Sequence, residues 1–141
     1  MPRRQAVIRP FRPDDEPLLF GLAQMSFGDE AGWDDRRTLT VLKTEQVFVA
    51  EIGTLPAGFV ALQETGDAVR VDELLVTPEH QAEGVGTQLL EWAEGYAISV
   101  GAARLEIVVE EGNARAEQFY RGRGFVPAGA ELFELVLPRQ Q

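Results

Sequence analysis

Cysteine is absent from this chain of 141 residues, and histidine occurs once, at His80. Without cysteine there is no disulfide, no thiolate nucleophile and no cysteine-based zinc site. A single histidine does not build a histidine metal site on its own. We therefore expect neither a metal site nor a catalytic cysteine in this protein.

Positive charge is also scarce. The chain has 13 Lys and Arg residues against 23 Asp and Glu residues, which gives a net charge of −10. Nucleic-acid binding and anionic membrane surfaces both depend on clustered Lys and Arg, so this balance argues against such partners and favours a cationic partner or substrate. No apolar run reaches membrane-spanning length and residues 1–10 hold no hydrophobic signal core, so we expect the cytoplasm.

The length and the ordinary composition predict one domain over residues 1–141. Apolar patterns predict strands at 6–11, 47–52, 58–63, 68–77 and 104–110 and a final hairpin at 124–137, with a turn at 53–57. They predict helices from 13 to about 25, from about 34 to 44, from 85 to 100 and from 113 to about 122. The order β-α-α-β-β-β-α-β-α-β-β predicts an α/β (α+β) fold. Its mixed, mostly antiparallel twisted sheet should have about six or seven strands flanked by about four helices.

The stretch 71–101 organises the chain. A β-branched and leucine-rich strand is stopped by Pro78, and a short loop leads to Gly84 and Gly86 at the start of an amphipathic helix. The first N–H groups of a helix lack internal partners and carry the positive end of the dipole, so this junction can bind an anion. It is not a Walker A loop, which needs a lysine, nor a dinucleotide fingerprint, which needs glycine where Leu89 stands.

Two motifs carry a resemblance to a known family. The first is Gln81-x-x-Gly84-x-Gly86 after a strand, and the second is Asn113-x-x-Ala116-x-x-Phe119-Tyr120 followed by Gly124-Phe125. Together, in this order, they resemble the signatures of the GNAT acetyltransferase superfamily. The resemblance covers roughly residues 6–137, and its diagnostic part is 71–125.

The resemblance implies that acetyl-CoA is the co-substrate and that main-chain amides of the glycine loop hold its pyrophosphate. It also implies that the first two helices shape the acceptor side of the cleft. The residues expected to bind the cofactor are Leu75, Val76, Gln81, Ala82, Glu83, Gly84, Val85, Gly86, Thr87, Asn113, Ala116 and Tyr120.

Acyl transfer from a thioester to an amine needs an oxyanion donor, a base and an acid. By resemblance, Tyr120 gives a proton to the leaving CoA thiolate. A main-chain N–H around Leu75 or Val76 could stabilise the oxyanion. A carboxylate with a raised pKa could take the proton of the amine, and our choice is Glu73, with Asp72 and Glu110 as alternatives. We therefore expect Tyr120 and Glu73 to be the catalytic residues.

Each of these residues also has a purely structural interpretation. Asn113 would cap its helix, Phe119 and Tyr120 would pack in the core, and the carboxylates would be solvated or ion-paired. His80 would be an exposed loop residue. Glu83 departs from the family pattern because it places a negative charge beside an anion site; three cations could offset it or be ordinary surface charges, namely Arg115, Arg121 and Arg123.

We therefore predict an acetyl-CoA-dependent N-acetyltransferase that acts on a small-molecule or peptide amine by direct attack in a ternary complex. A catalytically weak acyl-CoA sensor of the same fold is the alternative, and a nucleotide-binding or purely structural α/β protein is a third hypothesis. The acceptor stays open, with Phe20, Phe27 and Trp33 as candidate cleft-wall residues. An exposed sheet edge at the C-terminal hairpin would make a homodimer unsurprising.

Overall fold

The computed structural model describes residues 6–17, 21, 46–77, 80 and 84–138. In this part of the chain there are seven strands, two complete α-helices, helical residues at 16–17 and 21, and one 3-10 turn at Pro13–Asp15. The strands are β1 (Val7–Pro10), β2 (Gln46–Ile52), β3 (Leu55–Thr65), β4 (Ala68–Val76), β5 (Arg104–Val108), β6 (Val126–Gly129) and β7 (Leu132–Val136). The helices are α1 (Val85–Ser99) and α2 (Ala114–Gly122).

The strands form one seven-stranded sheet in the order β1-β2-β3-β4-β5-β7-β6. Two-residue turns at 53–54 and 66–67 join β2 to β3 and β3 to β4, as an antiparallel meander requires. Gly53 and Gly66 take φ values of 65° and 63°, which glycine adopts without a steric penalty. β4 and β5 are parallel, with Ala68 opposite Arg104 and α1 as the crossover. The predicted mixed, mostly antiparallel α/β fold is confirmed.

The C-terminal hairpin completes the sheet. β7 pairs antiparallel with β5 along its whole length, from Arg104 opposite Val136 to Val108 opposite Leu132. β6 pairs only with β7, and its register shifts between Pro127 and Gly129. All four residues of β6 are exposed, so the sheet ends in an edge strand at the predicted place.

The chain divides into two compact units. The first contains Met1–Ala61 and Glu73–Trp92, and the second contains Leu62–Asp72 and Ala93–Gln141. Strands β3 and β4 and helix α1 run through both units. One domain over residues 1–141 stays a prediction.

Each unit has an apolar core of its own. Among the fully buried side chains of the first unit are Val49, Phe59, Val60, Val85 and Leu89, and those of the second include Leu62, Val69, Val71, Leu105 and Ile107. In the first unit the rings of Phe48 and Trp92 pack with their centroids 5.3 Å apart. Consecutive positions are buried at 47–50 in β2 and at 57–62 in β3, so both faces of these strands are covered.

Two element boundaries were predicted wrongly. Residues 55–57 belong to β3 and not to the turn, because a proline is tolerated near the beginning of a strand. β5 ends at Val108 and not at Glu110. Apart from the turn at Pro13–Asp15, the two predicted helices between residues 13 and 44 lie almost wholly outside the described residues, as do Phe20, Phe27 and Trp33. Among the helices that the structure describes, none is long and apolar enough to cross a membrane.

Candidate functional site

The end of β4 and the start of α1 lie against each other in the first unit. A Cβ atom placed on Gly86 would lie 3.8 Å from Val76 Cγ2 and 3.9 Å from Leu74 Cδ2, which is ordinary van der Waals contact. Val85 is buried, whereas Gly86 and Thr87 are only half-buried. The structure thus brings the predicted cofactor residues on β4 next to those at the beginning of α1.

The beginning of α1 presents main-chain donors. The first i→i−4 hydrogen bond described for this helix runs from the N–H of Gln88 to the carbonyl of Gly84, at 3.0 Å. The N–H groups of residues 85–87 therefore precede the helical ladder, at the positive end of the helix dipole. Gly84 has a φ of 88°, a left-handed conformation that glycine accepts readily. Gln81, Ala82 and Glu83 lie outside the described residues, and their role stays a prediction.

A close contact between β3 and β4 was not foreseen from the sequence. Gly58 is buried in β3, and a Cβ atom at this position would lie only 2.5 Å from the carbonyl oxygen of Leu75. Just beyond, the N–H of Thr77 donates to the carbonyl of Ala57 at 2.8 Å. An isolated glycine inside a strand pattern often marks a close backbone approach, and this signal was available in the sequence.

Thr77 is another residue near this contact that was not predicted from the sequence as part of the site. The residue is 8% exposed, and its hydroxyl Oγ1 has no hydrogen-bond partner among the described residues. Buried hydroxyl groups usually have a partner. This hydroxyl stands directly after β4, at the predicted strand-to-helix junction.

The three candidate bases differ in their surroundings. Glu73 is 7% exposed and lies on the buried face of β4 with Val71. Asp72 points to the opposite face, where its Oδ1 accepts a hydrogen bond from Arg70 Nε at 2.8 Å. Glu110 is exposed beyond the end of β5. Burial therefore separates Glu73 from the other two carboxylates.

Asn113 is the N-cap of α2. Its side-chain oxygen accepts a hydrogen bond from the N–H of Ala116 at 3.2 Å, which satisfies one of the donors that the first helical turn leaves open. Asn113 therefore caps its helix, as its structural interpretation predicted. The side-chain NH₂ group is a separate donor that this cap does not use. Ala116 is half-buried in the first turn of the same helix.

Tyr120 lies near the end of α2 in the second unit. Its ring packs edge-on against Phe119 and Phe125, with centroid distances of 5.2 Å and 5.8 Å. Part of the side chain remains at the surface, but burial raises the pKa of the hydroxyl from 10.0 to about 12. The phenol is therefore fully protonated at neutral pH. It can donate a hydrogen bond to a developing negative charge.

Three arginines lie on α2 or just after it. Arg121 places its guanidinium 5.2 Å from the centroid of the Phe133 ring. Arg115, in the first turn, and Arg123, the C-cap of the helix, are exposed. A pocket of about 270 Å³ opens between α2 and the hairpin of β6 and β7. Its lining holds three glutamates, Glu111, Glu117 and Glu131, against one cation, Arg121, so the balance of its charged side chains is acidic.

His80 is half-buried, and its N–H donates to the carbonyl of Thr77 at 2.9 Å. This turn follows β4 and precedes the glycine loop. The structural interpretation predicted an exposed residue, which is wrong because the residue is half-buried.

In this mixed α/β fold the N-terminus of α1 follows the central strand β4 after a short connection, which is the kind of place where helix N-termini can bind anions. Residues 11–125 match the model of the acetyltransferase (GNAT) family. This match spans most of the chain, and the chain belongs to the acetyltransferase (GNAT) family. The resemblance that the two motifs indicated is confirmed.

The chain is 30% identical over 101 residues to the spermidine N(1)-acetyltransferase of Escherichia coli (strain K12), an alignment that covers 70% of this chain and 54% of that protein. This chain thus spans about half the length of that relative.

Two solved structures share the fold. Ard1 from Thermoplasma volcanium has a TM-score of 0.81 at 17% identity and covers 96% of this chain and 99% of its own. The Bacillus subtilis acetyltransferase in complex with CoA also has a TM-score of 0.81, at 18% identity, and covers 95% of this chain and 100% of its own.

Proposed function

We propose that this protein is an acetyl-CoA-dependent N-acetyltransferase that acetylates a primary amine by direct attack within a ternary complex. The observation that carries the proposal is the start of α1, where main-chain donors and Gly86 lie against the end of β4 in a chain that belongs to the GNAT family. The solved CoA complex of a protein with the same fold supports acetyl-CoA as the co-substrate.

The diphosphate of acetyl-CoA would be held by main-chain N–H groups between residues 81 and 87. The dipole of α1 favours a negative charge there, and Gly86 has no side chain that would obstruct the approach of an anion to the backbone. Asn113 and Ala116 would bind the cofactor from the beginning of α2. The amide NH₂ of Asn113 can serve the cofactor while the side-chain oxygen caps the helix.

The chemistry joins the amine nitrogen to the thioester carbonyl carbon and breaks the carbon–sulfur bond. A main-chain N–H around Leu75 or Val76 would stabilise the oxyanion of the tetrahedral intermediate. Glu73, directly or through a water molecule, would take the proton that the amine loses. CoA leaves as a thiolate and receives a proton, so the products are an acetamide and the CoA thiol.

Tyr120 is proposed as the acid that serves this thiolate. Burial raises the pKa of its hydroxyl to about 12, so the phenol still carries its proton when the carbon–sulfur bond breaks. It would donate a hydrogen bond to the sulfur as negative charge builds there and give its proton to the leaving thiolate, and solvent would return a proton to the phenolate.

We expect a cationic acceptor. The net charge of −10 and the acidic lining of the pocket beside α2 favour amines that carry several positive charges. The similarity to a spermidine N(1)-acetyltransferase makes polyamines the first compounds to test. A homodimer, the cytoplasmic location and the absence of nucleic-acid and membrane partners stay predictions.

The first experiment combines thermal shift with a thiol-release assay. Acetyl-CoA should raise the melting temperature, and an amine panel that includes polyamines, amino acids and peptides should reveal an acceptor that releases CoA. Stabilisation by acetyl-CoA without thiol release from any amine would instead favour the acyl-CoA sensor. Stabilisation by ATP or NAD but not by CoA would reject both hypotheses.

Replacing Tyr120 by phenylalanine tests the proposed acid. With an active acceptor in hand, Tyr120→Phe should lower kcat by about 100-fold, because the leaving thiolate loses its donor, while the affinity for CoA changes little. Tyr96→Phe is the matched control, since Tyr96 is the only other tyrosine in the sequence and lies on α1. Because the pKa of Tyr120 is about 12, the wild-type rate should show no loss from its ionisation up to pH 10. Full activity of Tyr120→Phe when chemistry limits turnover would remove this residue from the mechanism.

A further inference from the structure

Gly58 is surrounded on the side where other residues carry a Cβ atom. A Cβ atom at this position would lie 2.5 Å from the carbonyl oxygen of Leu75, 3.2 Å from Val76 Cα and 3.3 Å from Leu89 Cδ1. Two of these three atoms belong to the backbone of β4, which cannot move aside as the end of a flexible side chain can. The third belongs to α1.

The need for glycine at position 58 is one of space. Gly58 is not among the glycines with positive φ, so an L-residue could adopt its backbone conformation. At Gly86 the nearest atom to an added Cβ is 3.8 Å away, and at Gly124 it is 3.4 Å away. The contact at Gly58 is much closer than either. It identifies the place where β3 allows β4 to approach.

The same segment of β4 is held again two residues later. The N–H of Thr77 donates to the carbonyl of Ala57, next to Gly58 in the chain. The peptide group between Leu75 and Val76 is thus held by close packing against Gly58 and, just beyond, by a backbone hydrogen bond. An alanine at position 58 would push the Leu75 carbonyl by about 0.9 Å to reach ordinary contact at 3.4 Å.

We propose that Gly58 is a positioning residue for acetyl transfer: its missing side chain lets β3 hold the Leu75–Val76 peptide where this segment meets the thioester of acetyl-CoA. The role of that segment rests on the proposed function, whereas the contact itself does not. A misplacement of about 1 Å in a group that orients the substrate can cost about 100-fold in rate.

The test is Gly58→Ala, with Val49→Ala as a control for lost stability. Val49 is fully buried in β2, so its truncation destabilises the first unit without touching residues 75–77. Gly58→Ala should lower kcat by about 10-fold to 100-fold and should shift the backbone amide resonances of Leu75, Val76 and Thr77. Val49→Ala should leave kcat per folded molecule and those resonances close to the wild type.

A double variant keeps the test decisive if Gly58→Ala folds poorly. The added methyl group would be held between the Leu75 carbonyl and Leu89 Cδ1, so Gly58→Ala/Leu89→Val gives it room to move toward α1. We expect this second change to recover folding and part of the lost kcat. A double variant that folds but keeps the full loss of kcat would show that crowding of β4 is not the cause.

Failure of the proposed function and failure of the positioning role of Gly58 give different experimental results. Wild-type protein that releases no CoA with any amine would reject the proposed function, but the amide shifts of Gly58→Ala would still report whether β4 moves. Wild-type kcat in Gly58→Ala, or unchanged resonances at residues 75–77, would overturn the positioning role while leaving the acetyltransferase proposal intact.

Discussion

Asp15 is a buried carboxylate held by two arginines. Arg9 donates to both of its oxygens at 2.7 Å, and the N–H of Arg12 donates to Oδ2 at 2.7 Å. The residue is 5% exposed, and Arg9 also binds Glu51 at 2.6 Å. The hydrogen bonds from Arg9 hold the pKa of Asp15 below its ordinary value, although burial acts in the opposite direction.

This depressed pKa predicts a pH-dependent contribution to stability. The ionised carboxylate is favoured in the folded state, so its contribution is present above the unfolded pKa of 3.8 and is lost as the pH falls through the folded value. Asp15→Asn should lower the free energy of unfolding at pH 7 by about 2 kcal/mol. This is less than the 3–5 kcal/mol typical of breaking a buried pair, because Glu51 still pairs with Arg9.

Urea denaturation between pH 7 and pH 3 measures the effect. The difference between wild type and Asp15→Asn should shrink below pH 4. Asp67→Asn is the control, since Asp67 is 68% exposed where it pairs with Arg104, and should cost less than about 0.5 kcal/mol at any pH. A difference for Asp15→Asn that stays constant down to pH 3 would contradict this account.

At the scale of elements, the first turn of α1 packs against β4 and is also the proposed binding site for the diphosphate of acetyl-CoA. Its inner face is closed by Val85, Leu89 and Ala93, all buried. Gln88, one turn from the start, exchanges hydrogen bonds with the backbone of Ala6, at 3.0 Å to its N–H and 3.3 Å to its carbonyl. These contacts hold the beginning of the helix in place. An alanine at position 86 would make only ordinary van der Waals contacts, so Gly86 contributes nothing to packing that alanine would not also provide.

A substitution of Gly86 should therefore change the free energy of unfolding and the affinity for CoA in different ways. Gly86→Ala meets only ordinary contacts and replaces a poor helix former, so the free energy of unfolding should stay equal or rise by up to about 1 kcal/mol. The affinity for CoA should nevertheless fall by about 10-fold, because the methyl group occupies space beside the diphosphate. Isothermal titration with CoA and urea denaturation measure the two effects.

Gly95→Ala is the matched control for this change. It lies on the same helix, is exposed and has no atom within 4 Å of an added Cβ, so it should gain similar stability and keep wild-type affinity for CoA. Equal affinity of Gly86→Ala and wild type would mean that the diphosphate does not approach this turn.

At the scale of the whole molecule, charge is the dominant feature. A net charge of −10 produces a negative potential that attracts cations and is screened by salt, with a Debye length of about 10 Å at 0.1 M. The acidic pocket beside α2 adds a local concentration of this charge. Acceptors with several ammonium groups should feel this field most strongly.

Salt dependence tests the electrostatic argument. Raising the ionic strength from about 0.05 M to 0.5 M should lower kcat/KM for a triamine about fivefold more than for a monoamine with the same reacting end. The loss should appear in KM and leave kcat unchanged, because the field acts on encounter. Equal salt dependence for the two amines would show that the overall charge does not select the acceptor.

Most of the secondary structure could be predicted because its signals are local. Gly53 and Gly66 marked turns, Asn113 marked a helix start, and the apolar spacing of α1 gave its boundaries to within a residue or two. The boundaries that failed, at Leu55 and at Val108, depend on whether a neighbouring strand continues to pair. A strand does not carry that information in its own residues.

The family came from two motifs that are each contiguous in the chain, so the sequence alone was sufficient for it. The candidate site residues came partly from these motifs and partly, for Glu73, Leu75 and Val76, from the strand that precedes them, and they stay a prediction. Only the tertiary structure decided which carboxylate is buried, that Asp72 is paired, that the hydroxyl of Tyr120 has a raised pKa and that Gly58 touches Leu75. Each of these facts is set by atoms that are distant in sequence or by exclusion of water around a side chain. Short-range patterns determine which elements form, whereas protonation and backbone position at a site depend on what those elements pack against.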